Sequence, residues 1–460
     1  MSEQQMKRTV VINVVGLTRK LIGEHTPNLA RLLGQSVDIK PMTPAVTCSV
    51  QATYLTGKLP REHGIVANGW YFRDLNEVWL WRQSNRLVQG PKIWDRAREK
   101  NPAFTCSNTF WWYAMATGAD YTLTPRPLYC ADGSKYPDCY TYPLGLRDEL
   151  TRELGVFPLF QFWGPATSIK SSQWIADAAI KVEEKFSPTL QLVYLPHLDY
   201  CLQRVGPQGD ISKDLREIDE VVGGLLDYFA KRDCRVIVLS EYGILAVDQP
   251  IHPNRILRDA NLLAIKEDLG REYLDTAGSK AFVVADHQIA HVYIQQPELI
   301  PQIKTLFEQQ SGIARLLDAD GKREFGLDHE RSGELILLAE PNAWFTYYYW
   351  RDDARAPDFA GSVEIHKKPG YDPCELFFDP KLRLPMLAMA GKLIRKKLGF
   401  RYVMDVISME PTQIKGSHGL AVDHPDATPL FMTTHASLLP SKTIVATDVC
   451  DLILQHVFAD

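Results

Sequence analysis

Residues 42–71 read MTPAVTCSVQATYLTGKLPREHGIVANGWY. A Pro-punctuated loop leads in, and Thr47 and Cys48 stand where a helix should begin. Gly57 closes that helix before turns through Pro60, Gly64 and Gly69. A hydroxyl or thiol at a helix start faces backbone N–H donors and the positive end of the helix dipole. That place lowers the cost of an anion or of a deprotonated nucleophile. Thr47 is then either a plain helix cap or a nucleophile, and Cys48 either a small buried residue or a second one. Asn68, an amide donor, returns after the turn.

The elements on either side of this stretch alternate. TVVINVVG (9–16) is a β-branched run, as in a strand buried on both faces. HTPNLARLL starts a helix, with Thr26 and Pro27 at its head. Residues 70–90 are rich in aromatics and Arg, either a packed hairpin or wall, or part of a substrate pocket. PKIWDRAREK is a helix, AFTCSNTF a short strand, and 111–142 an irregular excursion along one edge of the site. SIKSSQWIADAAIKVEEKF and SKDLREIDEVVGGLLDYFAKR are amphipathic helices, each followed by a buried strand that ends in polar residues: TLQLVYLPHLDY and CRVIVLSEYGI. Strands alternating with helices imply a layered α/β fold with a largely parallel sheet, whose ligands sit beyond the carboxyl ends of the strands. Later segments (ADHQIAHVYI, a helix at PELIPQIKTLFEQQ, ELILLAEP) suggest a small inserted α+β subdomain at 286–348, within a core of 8–285 and 349–460. PKLRLPMLAMAGKLIRKKLG and TDVCDLILQHVF read as helices.

Composition is that of a soluble globular protein: 460 residues, 45% hydrophobic, 23% charged, net charge −5. No basic run points to nucleic acid. The N-terminus lacks a signal-peptide layout, and no stretch reaches the roughly 18 apolar residues of a spanning helix. The expectation is therefore a cytoplasmic protein. The eight cysteines form no CxxC and read as free and mostly buried, with Cys130 and Cys139 a pair that could meet across a polar loop.

The run VTCSVQATYLTGKLPREHGIVAN resembles the nucleophile segment of the type I phosphodiesterase/nucleotide pyrophosphatase branch of the alkaline phosphatase superfamily. TPNLARLL, LPHLDY, VIVLSEYG, IKGSHGL and ATDVCDLIL follow in the family's order. The resemblance implies an alkaline phosphatase-like core, Thr47 as the residue that attacks phosphorus, and Asn68 as the holder of a phosphoryl oxygen. It also implies two divalent metals, and the ligand places are only partly kept. Asp199 and His418 match. Gln203 replaces a His, Glu241 an Asp, Tyr242 a His, and Val15 an Asp. A valine cannot bind a cation, and a phenol with an ordinary pKa of about 10 binds one poorly.

The implied set is thus Thr47 and Glu241 as nucleophile and general base, Asn68 and Tyr242 toward substrate, and Asp199, Gln203, Glu241 and His418 toward metal. Zn²⁺ or Mn²⁺ is expected, at one site rather than two. The implied activity is hydrolysis of a phosphate ester, phosphodiester or phosphonate on a small phosphorylated molecule. The alternative is a catalytically altered or inactive relative that binds a small molecule or partner in the old pocket. Three further clusters are either ordinary turns and loops or accessory ligands: Asp286, His287 and His291 with His252; Asp328, His329 and Arg331; and Glu364, His366, Lys367 and Lys368.

Overall fold

A computed structural model describes residues 5–131, 134–400 and 403–459. Its main sheet has nine strands. At the centre Thr9–Val14 lies between Leu190–Leu195 and Arg235–Leu239, parallel to both. Cys106–Thr109 continues the parallel set beyond Leu190–Leu195. Every residue of these four strands is buried, because helices cover both faces of the sheet. Ile169–Phe186, Ser212–Ala230 and Val449–Phe458 supply much of that cover. The fold is therefore a mixed α/β one with a largely parallel central sheet.

The excursion at 111–142 is more regular than its Pro- and Tyr-rich sequence suggests. Tyr121–Pro125 joins the main sheet parallel to Cys106–Thr109, and Cys139–Tyr142 pairs with it antiparallel at the edge. Edge strands tolerate the prolines that hide them from pattern reading.

A second sheet of four antiparallel strands begins at Ala281. ADHQIAHVYI holds the ordinary turn that its Asp286 and His287 allow, and the turn makes a hairpin: Ala281–Asp286 turns at His287 (φ 60°) into Ile289–Ile294. The turn separates His287 from His291, which an unbroken strand would have placed on one face. His291 sits between the Val66 carbonyl and the Gly333 N–H, and His252 bonds the Thr346 hydroxyl, so these residues do not converge. All eight cysteines are free, and seven of them are buried.

Candidate active site

Parallel strands bring their carboxyl ends to one edge, and the site lies there. Asn13 comes from the end of the first strand, Tyr194 and Asp199 from the end of the second and the helix His197–Val205 after it, and Glu241 from just beyond the third. Gly16 has φ +80°, and a Cβ there would meet the Asp199 N at 3.4 Å and Leu202 at 3.2 Å. The turn after the first strand can therefore press against the start of the Asp199 helix.

The helix Thr47–Thr56 is buried throughout and ends at Gly57 in the left-handed conformation. Its cap position is Val46, which offers no side-chain cap. Thr47 lies one residue inside, and its hydroxyl does not cap the helix. It meets the Tyr242 phenol at 2.8 Å. Capping falls to Asn68, whose Oδ1 accepts from the Cys48 N–H at 2.9 Å. Asn68 in turn donates from its backbone N and its Nδ2 to Asp286, at 2.7 and 3.1 Å. Asn68 thus locks the first turn of the helix to the second sheet and does not line the pocket above Thr47.

Glu241 is fully buried. Its Oε1 accepts from Asn13 Nδ2 and Gln51 Nε2, each at 2.5 Å, and its Oε2 has no hydrogen-bond partner. Burial pushes this carboxyl up to about 8, against the Gln51 and Asn13 amides and the Thr47 hydroxyl, which favour the charged form. Gln51 Oε1 is held by the Trp112 N–H at 2.7 Å. Sequence reading passed over Asn13 and Gln51, since a lone amide in a strand or helix carries no motif.

Asp199 Oδ1 lies 3.3 Å from the Tyr242 phenol and 3.6 Å from His418 Nε2. His418 Nδ1 donates to the Ala45 carbonyl at 2.7 Å, which leaves Nε2 as the ring's lone pair, and burial pushes its pKa down to about 3. Burial also drives Asp199 up to about 7, while Gln203 and Tyr242 donate to it and oppose the rise. Gln203 spends its amide twice: Nε2 donates to Asp199 Oδ2 at 2.8 Å, and Oε1 accepts from the Tyr371 phenol at 3.0 Å. A column of rings runs beside them, Tyr242 on His418 (3.8 Å), His418 on His287 (3.6 Å) and His287 on Tyr371 (3.8 Å).

These donors do not fit a pair of ions. Beside Glu241 the remaining places are filled by Val15, which is buried and apolar, and by a phenol already hydrogen-bonded to Thr47. Asp199, His418 and Glu241 do not draw together into a three-donor group. Among the described residues the group of His, Asp and Glu at metal-binding spacing is His197, Asp214 and Glu217, outside this pocket. Asp199 Oδ1 and His418 Nε2, 3.6 Å apart, are the two donors that converge in this pocket.

Thr47, Asp199, Tyr242 and His418 line one pocket. Its walls are aromatic, with Trp81, Trp112, Trp163, Tyr200 and Tyr371, and Arg126 and Lys135 also line it. Lys368 takes no part. It is buried between Asp372 (2.8 Å) and Glu375 (2.9 Å). Arg331 is spent on the Gly64 and Leu87 carbonyls.

Residues 9–372 match the Type I phosphodiesterase / nucleotide pyrophosphatase family, and the chain belongs to that family of hydrolases. Its members use divalent metals. An uncharacterized pyrophosphatase/phosphodiesterase of Schizosaccharomyces pombe is 24% identical over 246 residues, half of this chain and 42% of the relative, so the match spans less than half of that protein. Two solved structures share the fold. Murine ectonucleotide pyrophosphatase / phosphodiesterase 5 has TM-score 0.58 and 13% identity, over 98% of this chain and 94% of that one. Phosphonoacetate hydrolase from Sinorhizobium meliloti 1021, in complex with phosphonoformate, has TM-score 0.62 and 12% identity, over 99% and 96%.

Proposed function

We propose that this chain hydrolyses a phosphate ester, phosphodiester or phosphonate through Thr47. The observation that carries this is the placing of the Thr47 hydroxyl: it leaves capping to Asn68, and lines the pocket against the Tyr242 phenol at 2.8 Å. A threonine with a merely structural role has no need of a second residue to cap its helix.

The chemistry follows from the chain's own groups. Tyr242 spends its one proton on Asp199, and Glu241, whose Oε2 has no hydrogen-bond partner, is the base that takes the Thr47 proton when the hydroxyl is activated. The Thr47 oxygen bonds to phosphorus as the P–O bond to the leaving group (P–C in a phosphonate) breaks, the threonine proton passes to Glu241, and the leaving alkoxide or carbanion takes a proton from solvent. Water then cleaves the threonine–phosphorus bond. Asn68 keeps the first helical turn in place for the transferred group. Asp199 and His418 would hold one divalent ion, Zn²⁺ or Mn²⁺, with Gln203 the nearest further donor. When bound, such an ion polarises a phosphoryl oxygen. The aromatic walls favour a substrate whose remainder is aromatic or apolar, and Arg126 and Lys135 favour an anion. Two structural neighbours were solved with small phosphorus ligands, AMP and phosphonoformate, in line with a small phosphorylated substrate.

The test is a hydrolysis screen of aryl phosphate monoesters, phosphodiesters and phosphonates, with and without added Zn²⁺ or Mn²⁺. Turnover by the wild type that is lost in Thr47→Ala supports the proposal. The spent amide of Gln203 and the missing ligands at Val15 and Tyr242 favour a second reading, a relative that binds in this pocket without turnover. Saturable ligand binding with no hydrolysis under any metal condition would select it.

A further inference from the structure

We propose that the helix Pro385–Lys397 is an anchor for the surface of an anionic lipid bilayer. It rides on an excursion that leaves and re-enters the fold at one narrow stem. Phe378 bridges Ile407, and the Asp379 N–H bonds the Val406 carbonyl at 2.9 Å. Between the two ends of the stem, the helix presents apolar side chains to solvent instead of to the core.

Leu387, Ile394 and Leu398 are 65%, 59% and 67% exposed, and at spacings of seven and four they form one stripe along the helix. Leu384 extends the stripe at one end, and Phe400 and Val403, equally exposed, lie beyond the other. Arg395 and Lys397 flank it on either side, the placing from which long basic side chains reach a headgroup layer while apolar ones enter it. Residues 381–400 carry six Lys or Arg and no Asp or Glu, in a chain whose net charge is −5. Among the described residues Lys381, Arg383, Arg395 and Lys397 form no ion pair, and Lys392 alone turns back, to the Val403 carbonyl and Asp405.

Charge selects the occupant. A second copy would set one basic helix against another. An anionic bilayer offers a counter-charge to the basic flanks and a hydrocarbon boundary to the apolar stripe at once. No described helix is long and apolar enough to cross a membrane, so contact is in the plane of the surface. The anchor also adjoins the pocket. The Ile407 N–H bonds the Gly361 carbonyl at 3.2 Å, and Val363, two residues on, is part of the pocket wall. The inference stands whether or not Thr47 is a nucleophile.

Cosedimentation of the full chain with vesicles tests it, comparing phosphatidylcholine alone with phosphatidylcholine plus phosphatidylserine. Wild type is expected to bind the anionic vesicles and release them as salt is raised. The double variant Arg395→Glu and Lys397→Glu is expected to bind about thirtyfold or more weakly, and Leu387→Asp with Ile394→Asp to lose binding. All four positions are exposed, so circular dichroism should report an unchanged fold. No binding to either vesicle overturns the proposal. So does equal binding to both, or wild-type binding by the charge-reversed variant. A dimer that Ile394→Asp dissolves, with no vesicle binding, would give the stripe to a second copy instead.

Discussion

Thr47 Oγ1 and Tyr242 OH lie 2.8 Å apart, both buried. The phenol holds the threonine oxygen as a hydrogen-bond partner in place of an ion. It also reaches Asp199 at 3.3 Å and stacks on His418. The phenol therefore couples the oxygen of the proposed nucleophile to the residues that would hold a single metal.

Tyr242→Phe removes the hydroxyl and leaves the ring stack. Turnover is expected to fall about ten- to hundredfold, with little change in KM, because the phenol touches Thr47 and not the distal substrate. Steady-state kinetics checks this. Unchanged kcat would mean that Thr47 is held in place without the phenol.

Gln203→His should convert the two-donor Asp199–His418 site into a three-donor one. Zinc affinity is expected to rise about tenfold or more, read by competition against a chromophoric chelator. Asp214→Asn serves as control, since His197, Asp214 and Glu217 could hold zinc elsewhere. Any binding that Asp214→Asn abolishes belongs to that cluster.

Cys48 is the discarded nucleophile. Burial drives its thiol well above the ordinary range. Cys48→Ala is expected to keep turnover within about threefold. A thiol-reactive dye should label about one cysteine per native chain, Cys130, which is the exposed one of the eight. Rapid labelling of Cys48 would contradict its placing.

Acid should destabilise the protein through its buried histidines. His63 accepts from the Ile65 N–H at Nδ1 (3.1 Å), and its Nε2 meets the Thr53 hydroxyl at 3.0 Å, so both ring nitrogens are engaged by the neutral form. Burial pushes its pKa from 6.5 to about 3. The unfolded chain takes up a proton near 6.5 that the folded chain refuses until about 3, so stability is lost as pH falls through that window. His291, also pushed down to about 3, acts in the same sense. His63→Gln should cost about 1–2 kcal/mol near neutrality and shrink the acid loss. Urea midpoints above and below pH 6.5 measure both. An acid loss as large as in the wild type would exclude His63 as its source.

The core of the fold was legible because parallel strands buried on both faces leave unbroken apolar runs, and Thr9–Val14, Leu190–Leu195 and Arg235–Leu239 are such runs. Their polar ends marked where Asp199 and Glu241 would meet Thr47. The turn at Asp286 and His287 was the ordinary reading of that cluster, but its positive φ was not legible, since Asp-His-Gln has no glycine to signal it. Nor were the supports. Asn13, Gln51 and Tyr371 act only through partners far away in the chain. Periodicity found the helix 385–397 but could not show that its apolar stripe faces water.

The most direct measurement is mass spectrometry of the chain, acid-quenched during turnover of the best substrate from the screen. The account predicts a phosphoryl or phosphonyl adduct on the peptide carrying Thr47, absent in Thr47→Ala. Turnover with the adduct on another residue, or with none under rapid quench, would contradict it.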